Sequence, residues 1–461
     1  MRLQKKGFDW PFYKRLLMVA LPIIIQNGIT NFVSLLDNVM VGQVGTVQMS
    51  GVAIVNQLLF VFNLCIFGAT SGAGIFTAQF HGSGSPEGVR DTFRFKIIVA
   101  MLLSVAGLGI FLAGSDVLIG LYLEGDPGSA EAAETLFYGR KYLFAALFGL
   151  VPFALANAYS STLRETGQTS VPMTAGIVAV FVNLVLNYVL IFGHFGAPQL
   201  GVVGAALATV ISRFVELTIM VVWTHTHGNI CPFIQGAFRS LRIPAALTKQ
   251  IIVKGMPLLV NEFFWSTGMA FLSQCYSTRG LSVVAAFNIA TTINQVSNVV
   301  FLSLGNAVGI LMGQMLGAGV SEQQIRRDNR RMITLSVSVC FGIGGLMIAL
   351  SGLFPQMYNT SEEVRAIATG LICISAMMMP VNSYNNAMYF TLRSGGQTFI
   401  TFLFDSGFTW SVCVPVAFVL SRFTALPILP LYACCAGLDV LKIGVGSYFL
   451  RKGTWIRRLA E

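Results

Sequence analysis

Long apolar stretches separated by short polar or glycine-bearing breaks fill most of this 461-residue chain. They run over 14–36, 52–76, 97–121, 136–158, 171–193, 201–223, 251–275, 284–310, 332–353, 366–390, 399–420 and 428–450. About 20 mostly apolar residues, wound as a helix, cross the hydrocarbon core of a bilayer. Each stretch meets that length, and none shows the short alternation of a barrel strand. Helices also satisfy their own backbone hydrogen bonds where no water reaches. The pattern therefore predicts an all-α polytopic membrane protein with twelve transmembrane helices.

The polar breaks recur with the spans. Residues 72–84 read GAGIFTAQFHGSG and 307–319 read AVGILMGQMLGAG, so that Gly74, Ile75, Gln79, Gly82 and Gly84 meet Gly309, Ile310, Gln314, Gly317 and Gly319 at one offset of 235. TLRETGQT at 162–169 returns as TLRSGGQT at 391–398, an offset of 229. Pro22 of span 1 meets Pro257 of span 7, and Pro152 of span 4 meets Pro380 of span 10. A polar, basic segment at 225–249 separates the copies. The expected organisation is an N-terminal lobe at 1–224 with spans 1–6, a cytoplasmic linker at 225–249, and a C-terminal lobe at 250–461 with spans 7–12. Six spans per half is an even number, so both halves enter from the same side. They are parallel repeats related by a pseudo-two-fold axis along the membrane normal, a pattern of transporters with alternating access. Proline inside a helix frees a carbonyl and permits a kink, which makes Pro22 and Pro257 candidate hinges.

Composition agrees with the spans. Charged residues are 10% of the chain, against about 25% in soluble proteins. The net charge of +10 follows topology rather than a nucleic-acid surface. With the N-terminus inside, most basic residues fall in inward loops and tails, among them Arg2, Lys5, Lys6, Arg90, Arg94, Lys96, Arg164, Arg326, Arg327, Arg330, Arg331 and Arg393. Outward loops near 116–134 and 362–363 are acidic. That bias puts both termini in the cytoplasm, and the compact chain with short loops suits a bacterial cytoplasmic membrane. The first span is too long for a signal-peptide core and lacks a cleavage site, so it is expected to stay. Eight scattered cysteines form no CxxC pair and read as small apolar residues.

An acid at the bilayer centre costs at least about 2.5–3.5 kcal/mol, so each one in a span asks for a reason. Asp37 lies toward the outer end of span 1, above a polar stripe of Ser34, Asn31, Asn27 and Gln26 expected to face the bundle interior. Asn183 and Asn187 are one turn apart in span 5, and Thr209 adds a hydroxyl from span 6. One carboxylate with amides and a hydroxyl suits H⁺ or Na⁺. Glu262 in span 7 and Asp405 in span 11 are flanked by aromatic residues, a setting that favours proton exchange or attracts a cationic aromatic substrate. Arg213 and Glu216, and Asp439 and Lys442, are spaced three apart and read as self-neutralising structural pairs. HTH at 225–227 is a polar loop without metal-site partners. No Walker loop, GxSxG or HExxH occurs, which argues against a nucleotide-driven pump.

Taken together, the chain resembles the multidrug and toxic compound extrusion (MATE) family over essentially its whole length. The resemblance rests on Pro22 followed by Asp37 in LLDNVMVG, the paired Gly/Gln frames, the LRxxGQT loops, NLVLNYVLIFG in span 5 and GVVGAALATVISR in span 6. It implies a V-shaped bundle of two six-helix lobes, exporting cationic amphipathic compounds against inward H⁺ or Na⁺. It implies a cation site at Asp37, Asn183, Asn187 and Thr209. Asn187 stands where some relatives carry a second Asp. Trp265 stands where many carry a span-7 Glu, and Glu262 lies one turn earlier on the same face. Span 10 has no acid, unlike some Na⁺-coupled relatives.

The expectation is a secondary antiporter, not an enzyme, with no cofactor beyond the coupling ion. Its partners are small organic cations and the lipid bilayer, with no nucleic acid, and it is expected to act as a monomer. Two alternatives stay open. A flippase for a lipid-linked oligosaccharide would place several cationic residues in its cavity, whereas these spans hold more acids than bases. A polytopic membrane enzyme would need a His/Asp or Cys/His constellation, and none is found.

Overall fold

The computed structural model describes residues 10–122, 130–358 and 360–460. Arg2, Lys5 and Lys6, and residues 123–129 of the acidic loop expected at 116–134, lie outside the described residues. The described chain is helical, in twelve rods: α1 Trp10–Gly42, α2 Thr46–Gly82, α3 Pro86–Gly120, α4 Ala130–Glu165, α5 Ser170–Phe192, α6 Val202–Thr226, α7 Ala245–Ser277, α8 Leu281–Gly317, α9 Glu322–Leu350, α10 Glu362–Ser394, α11 Thr398–Phe423 and α12 Ile428–Lys452. Eleven of them are long and apolar enough to cross a membrane. The exception is α7. At 33 residues it has the length, but Lys249, Lys254, Asn261 and Glu262 dilute its hydropathy. The duplication shows in the rods. Both α1 and α7 have 33 residues, and both α2 and α8 have 37.

Local chemistry sets the ends. Ser85 caps α3 by accepting from the Gly88 N–H at 3.2 Å, with Pro86 in the first turn. Ser361 caps α10 by accepting from the Val364 N–H, and Glu362 and Glu363 face the positive end of the helix dipole. Gly193 closes α5 with a φ of 76°, a left-handed conformation that only glycine adopts freely. In α4, Pro152 has no N–H for the Phe148 carbonyl, and the helix tightens to a 3₁₀ turn at Leu147–Gly149. In α11 the backbone widens to π-helix over Leu403–Gly407 and Thr409–Cys413, just before Pro415. In α12 it tightens by one turn at Leu438, whose N–H bonds the Cys435 carbonyl three residues back, while the backbone stays helical.

Packing divides the chain differently from chain order. One unit comprises residues 26–263; the other comprises 264–460 together with 10–25. The boundaries cut α1 shortly after Pro22 and α7 shortly after Pro257, not the linker. The opening half of α1 thus packs with the C-terminal helices: Leu16, Val19, Ala20 and Ile23 are buried in one core with Leu272, Leu311 and Met332. The opening half of α7 packs with the N-terminal helices, where a Cβ at Gly72 would overlap the Gly255 backbone.

Within the first unit, the linker is docked rather than slack. Cys231, Phe233, Ile234 and Ala237 are buried with Phe93 and Tyr159. Arg90 donates to the Phe233 carbonyl at 3.2 Å, and Arg94 to the Gly236 and Ala237 carbonyls at 2.9 and 2.8 Å. The second unit ends in a similar way. Trp455 is 1% exposed, Gln397 donates to the Thr454 carbonyl at 2.9 Å, and Arg326 to the Arg451 carbonyl at 2.9 Å.

The pair α5–α6 carries the candidate site, and one close contact sets its spacing. A Cβ on Gly204 of α6 would lie 2.5 Å from the Leu190 carbonyl oxygen of α5. Gly204→Val is therefore expected to destabilise the protein by about 1–3 kcal/mol through overpacking. A thermal melt of the purified protein would check it, and an unchanged midpoint would show that the helices can move apart freely.

Candidate cation-binding site

Three helices of the first unit bring Asp37, Asn183, Asn187 and Thr209 together. Asn183 and Asn187 sit four apart on α5, so both point to one side, and they are 5% and 1% exposed. Asn187 Nδ2 donates to Asp37 Oδ1 at 2.6 Å and lies 3.2 Å from Asn183 Oδ1. Asn183 Nδ2 donates to the Thr209 hydroxyl at 3.3 Å, and that hydroxyl donates to the Ala205 carbonyl. The Asn187 Oδ1 is buried without a hydrogen-bond partner.

The Asn183 amide fits in two orientations, told apart only by its hydrogen-bond neighbours. In the one above, its oxygen faces the Asp37 carboxylate, acceptor against acceptor. Turned by half a rotation, its nitrogen donates to Asp37 Oδ1 at 2.9 Å and Oδ2 at 3.1 Å, and its oxygen accepts from the Thr209 N–H at 3.3 Å. The second setting suits a bare carboxylate. The first needs something positive between the oxygens, either a proton on the carboxyl group or a bound cation. The site thus combines one acid with two amides: Asn187 presents its nitrogen to Asp37, and Asn183 can offer either its oxygen or its nitrogen.

Not all of the expected stripe on α1 lines this site. Ser34 is exposed, and its hydroxyl turns back to the Thr30 carbonyl at 3.0 Å, because a serine on a helix satisfies itself locally. Gln26 is buried and accepts from Arg164, in the last turn of α4 where the TLRETGQT octet begins, at 2.6 Å. Glu262, Trp265 and Asp405 do not fall in one packing unit: Glu262 belongs with 26–263, the other two with 264–460. Glu262 is half-buried and Trp265 is exposed. Trp410 of α11 donates to the Phe264 carbonyl at 2.8 Å, joining α11 to the second half of α7. The Arg213–Glu216 and Asp439–Lys442 pairs both form, at 2.9 and 3.0 Å.

Sequence reasoning missed one buried pair. Lys96 reads as a loop charge beside Arg90 and Arg94, but it is fully buried, ion-paired with Glu165 and 3.2 Å from the Thr162 hydroxyl. The repeated TLRxxGQT octet, which holds Thr162, Arg164 and Glu165, was the available signal.

A family model for MatE matches residues 22–189 and again 257–419. The chain belongs to the MatE family. The two matches open on Pro22 and Pro257, so the family module is itself the duplicated half. MatE proteins are transporters, not enzymes. Relatives include the probable multidrug resistance protein NorM of Thermotoga maritima, 25% identical over 451 residues, covering 96% of this chain and 93% of the relative. The probable multidrug resistance protein YoeA of Bacillus subtilis is 26% identical, covering 97% and 96%. Among solved structures, the outward-facing conformation of a multidrug resistance MATE family transporter of the MOP superfamily matches with a TM-score of 0.86 at 18% identity, covering 96% of this chain and 95% of that one. At that identity the likeness concerns the MatE fold, which is that of a multi-pass membrane protein.

Proposed function

We propose that this MatE transporter is a secondary antiporter that exports organic cations of multidrug type in exchange for H⁺ or Na⁺, with Asp37 as the coupling carboxylate. The observation that carries the reading is the set of buried amides around one half-buried acid: Asp37 accepts from Asn187 and faces the turnable Asn183 amide. A single negative charge in low dielectric calls for a single positive one. Asn183 presents its oxygen when that charge is present and its nitrogen when it has left, so occupancy changes the hydrogen bonding between α1 and α5. Pro22 in α1 and Pro257 in α7 are the proposed flexing points, each just before the packing boundary within its helix. Thr209 orients Asn183. Glu262, Asp405 and Trp265 remain proposed contacts for substrate or proton. The protein is proposed to work as a monomer in a bacterial cytoplasmic membrane, both termini inside, without a cofactor.

The test is ethidium efflux in energised everted vesicles, with and without Na⁺ and with a protonophore. Na⁺-independent efflux that the protonophore collapses establishes proton exchange. Efflux that needs a Na⁺ gradient establishes sodium exchange. No movement of any organic cation under either gradient would defeat the proposal and favour a lipid-linked cargo.

A further inference from the structure

A second group of ionisable side chains lies in α10–α12, apart from Asp37. Lys442 Nζ is 3.0 Å from Asp439 Oδ1, 4.0 Å from Asp405 Oδ1 and 5.2 Å from the centre of the Phe408 ring. The lysine is 8% exposed, while the carboxyl side chains of Asp405 and Asp439 are 26% and 31% exposed. Asn385 of α10 is 8% exposed; its Nδ2 donates to the Asp439 carbonyl at 2.9 Å, and its Oδ1 has no hydrogen-bond partner. The backbone is π-helical at Asp405 and tightened, though still helical, just before Asp439.

A structural lock would need only the one-turn Asp439–Lys442 pair. Instead, two carboxylates from two helices and an aromatic face surround one ammonium, the chemistry that recognises a free monovalent cation. The comparison with the first half sharpens this. Arg213, at the 229 offset from Lys442, pairs with Glu216 at 2.9 Å and lies 5.1 Å from the Phe153 ring centre. There the acid Asp37 is supplied separately by α1. At the 235 offset from Asp37, α7 carries Leu272. The second half therefore has no α7 acid at that position and gathers its acids around its own lysine.

We propose that α10–α12 form a monovalent-cation site whose occupant is the protein's own Lys442 ammonium. The second half carries a tethered cation, paired with Asp439 at 3.0 Å and neighboured by Asp405 at 4.0 Å. Removing Lys442 leaves a set of hard oxygen donors that an external monovalent cation fills.

The test uses full-length Asp37→Asn protein purified in detergent, with and without Lys442→Ala. It reads binding rather than transport, so it stands whether or not Asp37 couples efflux. Melting is followed against NaCl and methylammonium chloride, with N-methylglucamine holding ionic strength constant, and separately against CaCl₂. The Lys442→Ala protein is expected to melt below its parent and to rise by about 3 °C or more, saturably, with Na⁺ or methylammonium. The parent should not respond, and adding Asp405→Asn should abolish the rise. Lys442→Met, which keeps the apolar stem, serves the same titration if the alanine variant does not accumulate. Flat titrations, an equal response in the parent, a response that survives Asp405→Asn, or a response to Ca²⁺ alone would each overturn the proposal.

Discussion

Asp37→Asn is expected to leave a protein that folds, inserts and reaches wild-type levels, yet loses cation-driven efflux. The side chains are nearly the same size, and the new amide can still hydrogen-bond Asn183 and Asn187, so packing is preserved. What goes is one negative charge. A unit charge pair about 4 Å apart interacts by about 4 kcal/mol at an effective dielectric of about 20. That is roughly a thousandfold in cation affinity. An amide also cannot take up a proton near neutral pH. Both coupling ions are therefore lost together, and efflux in everted vesicles should fall to the level of vesicles lacking the transporter. Full drug resistance in cells expressing the variant at matched levels would remove Asp37 from the mechanism. Asn187→Ala, by contrast, should weaken cation dependence without abolishing it, since the charge stays.

Lys96→Met is expected to be the most destabilising single change in the first half. Lys96 is fully buried, and its partner Glu165 is only 12% exposed. Removing the lysine takes the paired ammonium away from a largely buried carboxylate, at a cost of about 3–5 kcal/mol. The second variant matters more than the first. If the cost comes from the broken ion pair, Lys96→Met/Glu165→Gln should recover most of it, because both charges of the pair are then gone and Thr162 still offers a hydroxyl. Fluorescence-detected size exclusion after a heat step would compare the three proteins. A double variant no better than the single one would mean that Lys96 acts through its apolar stem.

The twelve rods and their duplication are legible because both follow from local spacing: apolar runs of a fixed length, and glycine, proline and glutamine at matched turns. The meeting of Asp37, Asn183 and Asn187 is legible for a related reason. In a membrane helix a polar residue seeks another, and two amides one turn apart mark a face. What the sequence hides depends on contacts between distant positions. Lys96 and Glu165 look like two loop charges with two spans between them, and nothing in their spacing says they meet. Asp405 lies 4.0 Å from Lys442 across two helices, and the π-widening of α11 that carries Asp405 has no clear local signature beyond Pro415. The polar character of α7 was visible residue by residue, but its apolar flanks masked it.

The exchange of arms by α1 and α7 has a consequence for dissecting the polypeptide. Between Phe238 and Pro244 the linker is mostly exposed and joins a docked segment to α7. Cut there, the chain would yield two fragments, each holding a piece of the other's core. The first would supply Leu16, Val19, Ala20 and Ile23 to the second unit, and the second would supply residues 245–263 to the first. Two such fragments made in one cell would complement each other by reciprocal insertion. Neither alone could complete its own interior.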